Sequence, residues 1–476
     1  MALREAAKTI FKESLADCSI ERAFERKVKS TTGHDGHRLL FLGDDAIDLD
    51  HVKHIRIIAA GKAAVTMLQA LLSRLQPSSC DLSGILMAPE LPPNLVPGIQ
   101  FFAGGHPFPN EASFAGAQAA LTMLHTLWQD KATTADTLCF FLISGGASAM
   151  MELPLDSTIS LMDTVSFHRE LVHSSATIAE INCVRKHFSA VKGGRLAMAA
   201  KKVPSVSLLV SDVPVGHLDA LASGPTLPDD STVEECRQIL VRYNLLERFP
   251  PSVQKYFISS AIQETPKPGS LTVRALTLIT ADDMAETARK RAEDLGFHAV
   301  IDNTCDDWDY RAAAKYLLNR LRALRREYPR VCLISSGEVT VELPTSGMDN
   351  EADQQGPRPG VGGRNQHFAL YAATLLGPTD ASTVIFSAGS DGIDGHSQAA
   401  GAVVDEQLLQ ITPSSRWMSD SAIHRCSSDL RAAAQNALDD FDSSTFLERL
   451  GATIVTGATG NNLRDLRILL AESVSY

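Results

Sequence analysis

The sequence predicts an α/β protein of two domains, the larger built on a doubly wound sheet. Three observations carry this. Short, continuous apolar runs such as Leu138–Ile143 and Ser205–Val210 have the pattern of strands buried on both faces of a parallel sheet. Several of these runs stop in a glycine-bearing turn and feed a helix-compatible stretch, the repeating step of α/β folds. A chain of 476 residues is also too long for one hydrophobic core.

Composition narrows the class. Hydrophobic residues make up 44% and charged residues 21%, as in an ordinary soluble globular protein. No apolar run approaches the roughly 20 residues needed to span a bilayer. The N-terminal MALREAAKTIFKESL reads as an amphipathic helix, without the profile of a signal or transit peptide. The 8 cysteines include no CxxC pair, and Cys139 and Cys332 lie inside apolar runs. That predicts reduced thiols in the cytoplasm and no zinc or disulfide framework. A net charge of −12 argues against nucleic acid and anionic membranes as partners. An anionic substrate then needs a local cluster of cations.

Taken in order, residues 1–30 read as helix and Thr31–Asp50 as loop and turn. His54–Ala60 is a strand running into Gly61-Lys62-Ala63-Ala64 and a helix through Leu75. This is not a Walker A loop, which needs a further glycine upstream and Ser or Thr after the lysine. Lys62 nevertheless sits just beyond a buried strand, where ligands of open α/β sheets bind. Gly84–Ala88 is the next strand. Gly104 to Glu111 is a loop shaped by two prolines, in which His106 is a general base, a substrate contact or a loop-stabilising histidine. Strand Leu138–Ile143 then meets Ser144, Gly145, Gly146, Ala147 and Ser148. Two glycines between serines exceed what a turn needs, and such a turn presents backbone N–H groups to an anion.

Leu161–Ser189 reads as helical, with Arg185, Ser189 and Lys192 on one side and Gly193-Gly194 as the stop. The cations from 185 to 195 form a candidate positive patch. Ser205–Val210 delivers Asp212 to a strand end, a place for a magnesium ligand or a capping aspartate. The polar helical stretch from Asp229 ends in TPKPGS, which sets a domain boundary at 268/269. Strands follow at Leu276–Thr280 and His298–Asp302, and a helix at Tyr310–Tyr328. VCLISSGEVTVELP, from Val331 to Pro344, weakly echoes the LISGGASAMMELP stretch.

Asp349–Pro359 has no periodicity and reads as a loop. In Gly360-Val361-Gly362-Gly363-Arg364-Asn365, glycines let backbone approach a ligand while Arg364 forks onto two oxygens. Val384–Ser387 is a strand leading to Asp391 and Asp394, which hold magnesium or make Asx-turns. Thr453–Val455 is a strand, and Thr456 to Asn462 a small-residue turn before a final helix.

The motifs GKAA (61–64), GGHPFPN (104–110), SGGASA (144–149), INCVRKHFSAVKGGRLA (181–197) and SDVPVGHLDALASGP (211–225) are followed by GEVTV (337–341), GGRNQ (362–366), DGIDG (391–395) and TGATGNNLRDL (456–466). In this order they resemble the class II glycerate kinase family with its MOFRL-type C-terminal domain. The 211–225 stretch is one residue longer than the family pattern, and His396 follows DGIDG where the family often has a proline or alanine.

The resemblance implies a larger Rossmann-like N-terminal domain at 1–268 and a smaller MOFRL-type α/β domain at 269–476, with the active site in the cleft between them. It implies ATP-dependent phosphorylation of D-glycerate, most often to 2-phosphoglycerate, with Mg2+. Lys62 and Arg364 fall on lysine and arginine positions important for catalysis in that family. With them go Ser144 to Ser148, Gly362 and Gly363 for nucleotide or phosphate, and His106, Arg185, Lys192 and Glu338 for substrate. Asp212, Asp391 and Asp394 are the magnesium candidates. Partners are small molecules, and a homodimer is allowed for. Phosphoryl transfer asks for positioning and positive charge, which these residues supply. Two other readings stand beside the kinase. One is an NAD(P)H-dependent hydroxypyruvate reductase, which would normally show GxGxxG after a strand. The other is a non-catalytic phosphometabolite-binding protein.

Overall fold

A computed structural model describes residues 2–34, 37–75, 80–129, 134–213, 218–259, 262–342, 360–410 and 420–473. The chain forms two compact units, residues 20–280 and residues 1–19 with 281–476. The division thus falls at Thr280/Ala281 rather than at 268/269, because the strand after TPKPGS completes the first unit's sheet. The first helix, α1 (Leu3–Asp17), belongs to the second unit.

In the first unit α2 (Ile20–Lys27) leads into a three-stranded antiparallel sheet of β1 (Val28–Thr32), β2 (Arg38–Leu42) and β3 (Asp45–Asp48). This replaces the loop expected at 31–50. The strands are short and mostly exposed, so apolar periodicity is faint. The two-residue Gly43-Asp44 connection between RLLFL and DAID was the available hairpin signal.

The main sheet holds β4 (His54–Ala60), β5 (Asp81–Ala88), β6 (Ile99–Ala103), β7 (Thr137–Ile143), β8 (Ser205–Val210) and β9 (Arg274–Ile279). Their spatial order is β6-β5-β4-β7-β8-β9, with every pair parallel. This is the doubly wound order, and it reverses direction between β4 and β7. Every side chain of β7 and β8 is buried, hence their unbroken apolar runs. The helices of the unit are α3 (Ala64–Leu75), α4 (Glu111–Gln129), α5 (Ala147–Met150), α6 (Leu161–Val172), α7 (Ile178–Phe188), α8 (Arg195–Ala199), α9 (Val233–Arg242) and α10 (Pro251–Ile258).

The helix expected over 161–189 is two helices. Thr177 and Glu180 start the second with a reciprocal capping box. It ends at Phe188, and Ser189 is extended at φ −93°, ψ 142°. Arg185, Ser189 and Lys192 therefore do not share a helix face. Gly193 and Gly194, at φ +54° and +79°, precede α8 instead of stopping α7.

The second unit contains α11 (Ala281–Asp294), β10 (His298–Ile301), α12 (Tyr310–Glu327), β11 (Arg330–Ser336), α13 (Arg364–Leu375), β12 (Thr383–Gly389), β13 (Gly401–Asp405), α14 (Asp420–Asp439), α15 (Ser443–Arg449), β14 (Thr453–Ile454) and β15 (Asp465–Glu472). Its sheet runs β10-β11-β15-β12-β13-β14, parallel only between the first two. The final element is thus a strand where a helix was expected. DLRILLAE is rich in helix formers, but β15 pairs on both sides and seven of its eight positions are buried. Helix α1 packs onto this sheet, with Phe11 against Phe386 at 4.9 Å. The loop expected at 349–359, Pro344 of the echo and Pro214 lie outside the described residues. Among the described residues no helix is long and apolar enough to cross a membrane.

Candidate functional site

Two turns meet at the reversal point of the first sheet. Ala60 and Ile143 end β4 and β7 as register partners, so the residues after them emerge side by side. The N–H of Ser144 donates to the Ala60 carbonyl at 3.1 Å, and that of Lys62 to the Gly145 carbonyl at 2.9 Å. The N–H of Ala63 donates to Ser144 Oγ at 3.1 Å. Gly61 has φ +120°, and a Cβ there would stand 2.6 Å from the Ser144 carbonyl oxygen. Only glycine lets the two turns close this far. Ser144 and Ala147 are buried. The N–H of Ser144 is spent on Ala60 and that of Ala147 on the Ser144 carbonyl at 3.3 Å, so neither is left for an anion, which corrects the role expected of these two residues.

The rest of the turn leaves backbone donors open. No acceptor among the described residues takes the N–H of Gly145 or Gly146. A Cβ on Gly146 would lie 3.2 Å from both His106 Cδ2 and Lys62 Cγ, and one on Gly145 would run into the Asp212 carboxylate. Lys62, His106 and Asp212 therefore converge on the two glycines. His106 and Asp212 border a cavity of about 470 Å³ whose wall also includes Gly145, Gly146, Ser148 and Arg185. Burial, and then the Lys62 ammonium, hold the His106 imidazole below its usual range. At neutral pH it is a proton acceptor. The Arg185 Nε is buried without a hydrogen-bond partner among the described residues. Asn182 and Ser223 also line the cavity. Ser223 bonds Ser148 at 3.0 Å and Asn182 at 2.9 Å from a left-handed backbone at φ +59°. Neither is among the expected site residues, although Asn182 lies in the INCVRKHFSAVKGGRLA motif and Ser223 in SDVPVGHLDALASGP.

The other cations of the expected positive patch turn inward. Lys192 is fully buried and ion-paired with Glu152, whose Oε2 also meets His168 Nε2 at 2.8 Å. Lys186 pairs with Asp219 at 2.7 Å and Asp229 at 3.1 Å. Arg195 donates to the Gln263 carbonyl. Of this group Arg185 alone lines the cavity, and Lys192 is corrected from a substrate contact to a core ion pair. A buried ammonium needs a carboxylate, and Glu152 is the one its fold supplies.

In the second unit Arg364 is the first residue of α13. Its Nε donates to Asp465 Oδ2 at 2.6 Å and its Nη2 to Asp465 Oδ1 at 3.1 Å and Glu338 Oε1 at 2.6 Å. Burial opposes the charge, but Asp465 and then Glu338 raise the guanidinium's pKa above its ordinary value. The fork expected to grip a ligand is thus already closed on Asp465, leaving Nη1 without an acceptor among the described residues. Asp307, Glu338, Arg364 and Asp391 line a cavity of about 540 Å³.

Asp394 also lies here, but its carboxylate is engaged. It accepts from the N–H groups of Asn365 at 3.0 Å and Gln366 at 2.8 Å and from both side-chain amides. It caps α13 from another loop, which corrects its assignment as a magnesium ligand. Gly362 and Gly363 are small for a related reason. A Cβ on Gly363 would strike Asp394, and one on Gly362 would lie 2.5 Å from Ser443 Oγ. The glycines serve close packing rather than approach to a phosphate. Asp391 Oδ1 accepts from the Ile393 N–H at 3.1 Å, an Asx-turn that leaves Oδ2 for other partners.

For magnesium, the donor chemistry fits at two places. Asp212 stands at a strand end beside Gly145, and Asp391 lines a cavity rich in carboxylates. Mg2+ is commonly held by one or two carboxylates, water and substrate phosphates, so a dense protein cage is not required. Among the described residues one group of three gathers ligand atoms within 4.8 Å, namely His37, Asp48 and Asp50 on the small sheet.

Residues 6–258 match the family described as domain of unknown function DUF4147, and residues 331–465 match the MOFRL family. The chain is 31% identical over 426 residues to a glycerate 2-kinase of Pyrococcus horikoshii, covering 88% of each chain. It is 33% identical over 424 residues to a putative hydroxypyruvate reductase of Agrobacterium vitis, covering 87% of this chain and 86% of that one. The crystal structure of a glycerate kinase from Thermotoga maritima superposes with a TM-score of 0.77 at 29% identity, covering 98% of this chain and 99% of that one. Sheet order, convergent turns and these likenesses over nearly the whole length agree: the chain belongs to the glycerate kinase family, with a DUF4147 domain followed by a MOFRL domain.

Proposed function

We propose that this enzyme transfers the γ-phosphoryl group of ATP to D-glycerate, giving 2-phosphoglycerate and ADP. The observation that carries the proposal is the pair of turns at the reversal point. Lys62 is pinned by its backbone beside two glycine N–H groups that have no acceptor among the described residues, with a neutral histidine and a carboxylate alongside. Fixed N–H groups and a cation stabilise charge spread over a transferring phosphoryl group without reorganising. His106 takes the proton of the attacking hydroxyl, and Arg185 binds the glycerate carboxylate. Arg364, held rigid by Asp465 and Glu338, offers Nη1 to phosphate oxygens. Asp212 and Asp391 are the residues to hold magnesium, which neutralises phosphate charge when bound.

The relatives named hydroxypyruvate reductase keep a second reading in view. Against it, the first strand–helix turn of the sheet is Gly61-Lys62-Ala63-Ala64, without the later glycines that let backbone approach a pyrophosphate.

Phosphorus NMR of the protein with magnesium, ATP and D-glycerate tests the proposal. A new phosphomonoester signal with ADP is expected, its coupling marking the 2-position. Lys62→Ala should lower the rate about 10²- to 10³-fold, the effect of losing one preorganised charge-stabilising group. Its unfolding midpoint should stay put, since the Lys62 side chain is exposed. An unchanged ATP spectrum from folded protein, with NADPH consumed on adding hydroxypyruvate, would replace this reading with the reductase.

A further inference from the structure

Arg467 lies in the middle of β15 with no exposed surface. Its Nη2 donates to Ser335 Oγ at 3.4 Å, while Nε and Nη1 have no hydrogen-bond partner among the described residues. A buried guanidinium left this poorly satisfied is unfavourable, and a methionine or leucine of similar volume would stabilise the sheet. Its presence calls for a use elsewhere, because departures from good packing collect at functional sites.

The surroundings identify that use. Side chains two apart on a strand share a face, so Arg467 lies on the same face as Asp465. Residues four apart on a helix do likewise, so Arg364 and Phe368 share one side of α13. These faces meet as two rungs. In the first, Arg364 forks onto Asp465. In the second, Arg467 Cζ lies 5.7 Å from the Phe368 ring centroid, a cation–π contact. Both rungs stand on one frame, since Arg467 is flanked in register by Ser335 on β11 and Ser387 on β12.

We infer that Arg467 is a positioning residue for Arg364. Its buried charge attracts the Asp465 carboxylate on the strand, which together with Glu338 sets where the Arg364 guanidinium stands, and the Phe368 ring one helical turn beyond Arg364. It touches no substrate and acts through the first rung. The inference rests on the proposed role of Arg364 in phosphoryl transfer.

The test uses the full-length protein, with R467M, R467K and the wild type compared. R467M should unfold thermally at or above the wild-type midpoint, since it removes an unsatisfied buried charge. Its kcat should fall roughly ten- to a hundred-fold, the range for slight misplacement of a catalytic group, with KM for ATP and glycerate within about threefold of wild type. R467K should recover part of kcat. In protein labelled with ¹⁵N-arginine, the Arg364 Nε–H signal, assigned by its loss in R364K, should shift and exchange faster with water in R467M. Wild-type kcat and an unmoved Arg364 signal in R467M would overturn the inference. So would a loss of kcat that merely tracks a lowered midpoint and is not relieved by lysine. The underlying reading fails differently, with no glycerate phosphorylation by the wild type, and the Arg364 signal still decides whether Arg467 positions it.

Discussion

Replacing Lys192 by methionine isolates the buried charge network behind the cavity. Glu152 Oε1 accepts the Leu153 N–H at 2.9 Å, and Oε2 takes both Lys192 and His168. All three ionisable side chains are buried. Burial pushes the Glu152 pKa up, but Lys192 and then His168 pull it down to about 2 from an ordinary 4.5. The wild-type stabilisation from this carboxylate is therefore complete above about pH 4.5 and is lost as pH falls toward 2. Removing Lys192 leaves a buried carboxylate with one neutral imidazole beside it, a loss of roughly 3–5 kcal/mol near neutral pH. For a unit of this size that lowers Tm by about 10 °C. The missing charge can be replaced by a proton on the carboxyl or on His168, so the penalty should shrink as pH is lowered from about 7 to about 5. The double variant K192M/E152Q removes both charges and should return to within about 1–2 kcal/mol of wild type. Urea unfolding followed by circular dichroism at both pH values measures all of this. A penalty in K192M that is below 1 kcal/mol, or equal at the two pH values, refutes the assignment of Lys192 to a core ion pair.

Two further substitutions probe the frames of the two cavities. Gly61→Ala places a Cβ 2.6 Å from the Ser144 carbonyl oxygen at φ +120°. It should destabilise by about 1–3 kcal/mol, read from urea midpoints, and lower kcat/KM by parting the β4 and β7 turns. Asp394→Ala removes the acceptor for two backbone and two side-chain N–H groups at the start of α13. A loss of about 1–3 kcal/mol is expected, together with faster amide exchange at Asn365 and Gln366 in hydrogen-exchange mass spectrometry. Unchanged exchange there would mean that Asp394 is not the cap.

What the sequence made legible, and what it hid, follows from where each signal resides. Strands β7 and β8 could be read because burial on both faces writes itself into consecutive residues. Gly61, Gly145 and Gly146 could be read because a Cβ has no room there, against the backbone of the neighbouring turn at Gly61 and against the Asp212, His106 and Lys62 side chains at the other two. Their convergence at the reversal point follows from sheet order, which runs of apolar residues anticipate but do not fix. The errors share another origin. Lys192 and Arg185 look alike on the chain, and only the fold decides that one meets Glu152, forty positions away, while the other faces a cavity. Asp394 looks like a metal ligand in DGIDG until its partners Asn365 and Gln366, from a distant segment, are seen to occupy both oxygens. The last strand failed in the opposite sense, since its local preference was helical and its two neighbouring strands overruled it. A charged side chain states its chemistry in the sequence, but whether that chemistry is spent on the protein or kept for a ligand is set by partners far along the chain. Arg364 shows both outcomes at once, with one nitrogen pair committed to Asp465 and Glu338 and Nη1 left over among the described residues. That division leaves it both rigid and available, the two properties that the proposed role in phosphoryl transfer asks of an arginine.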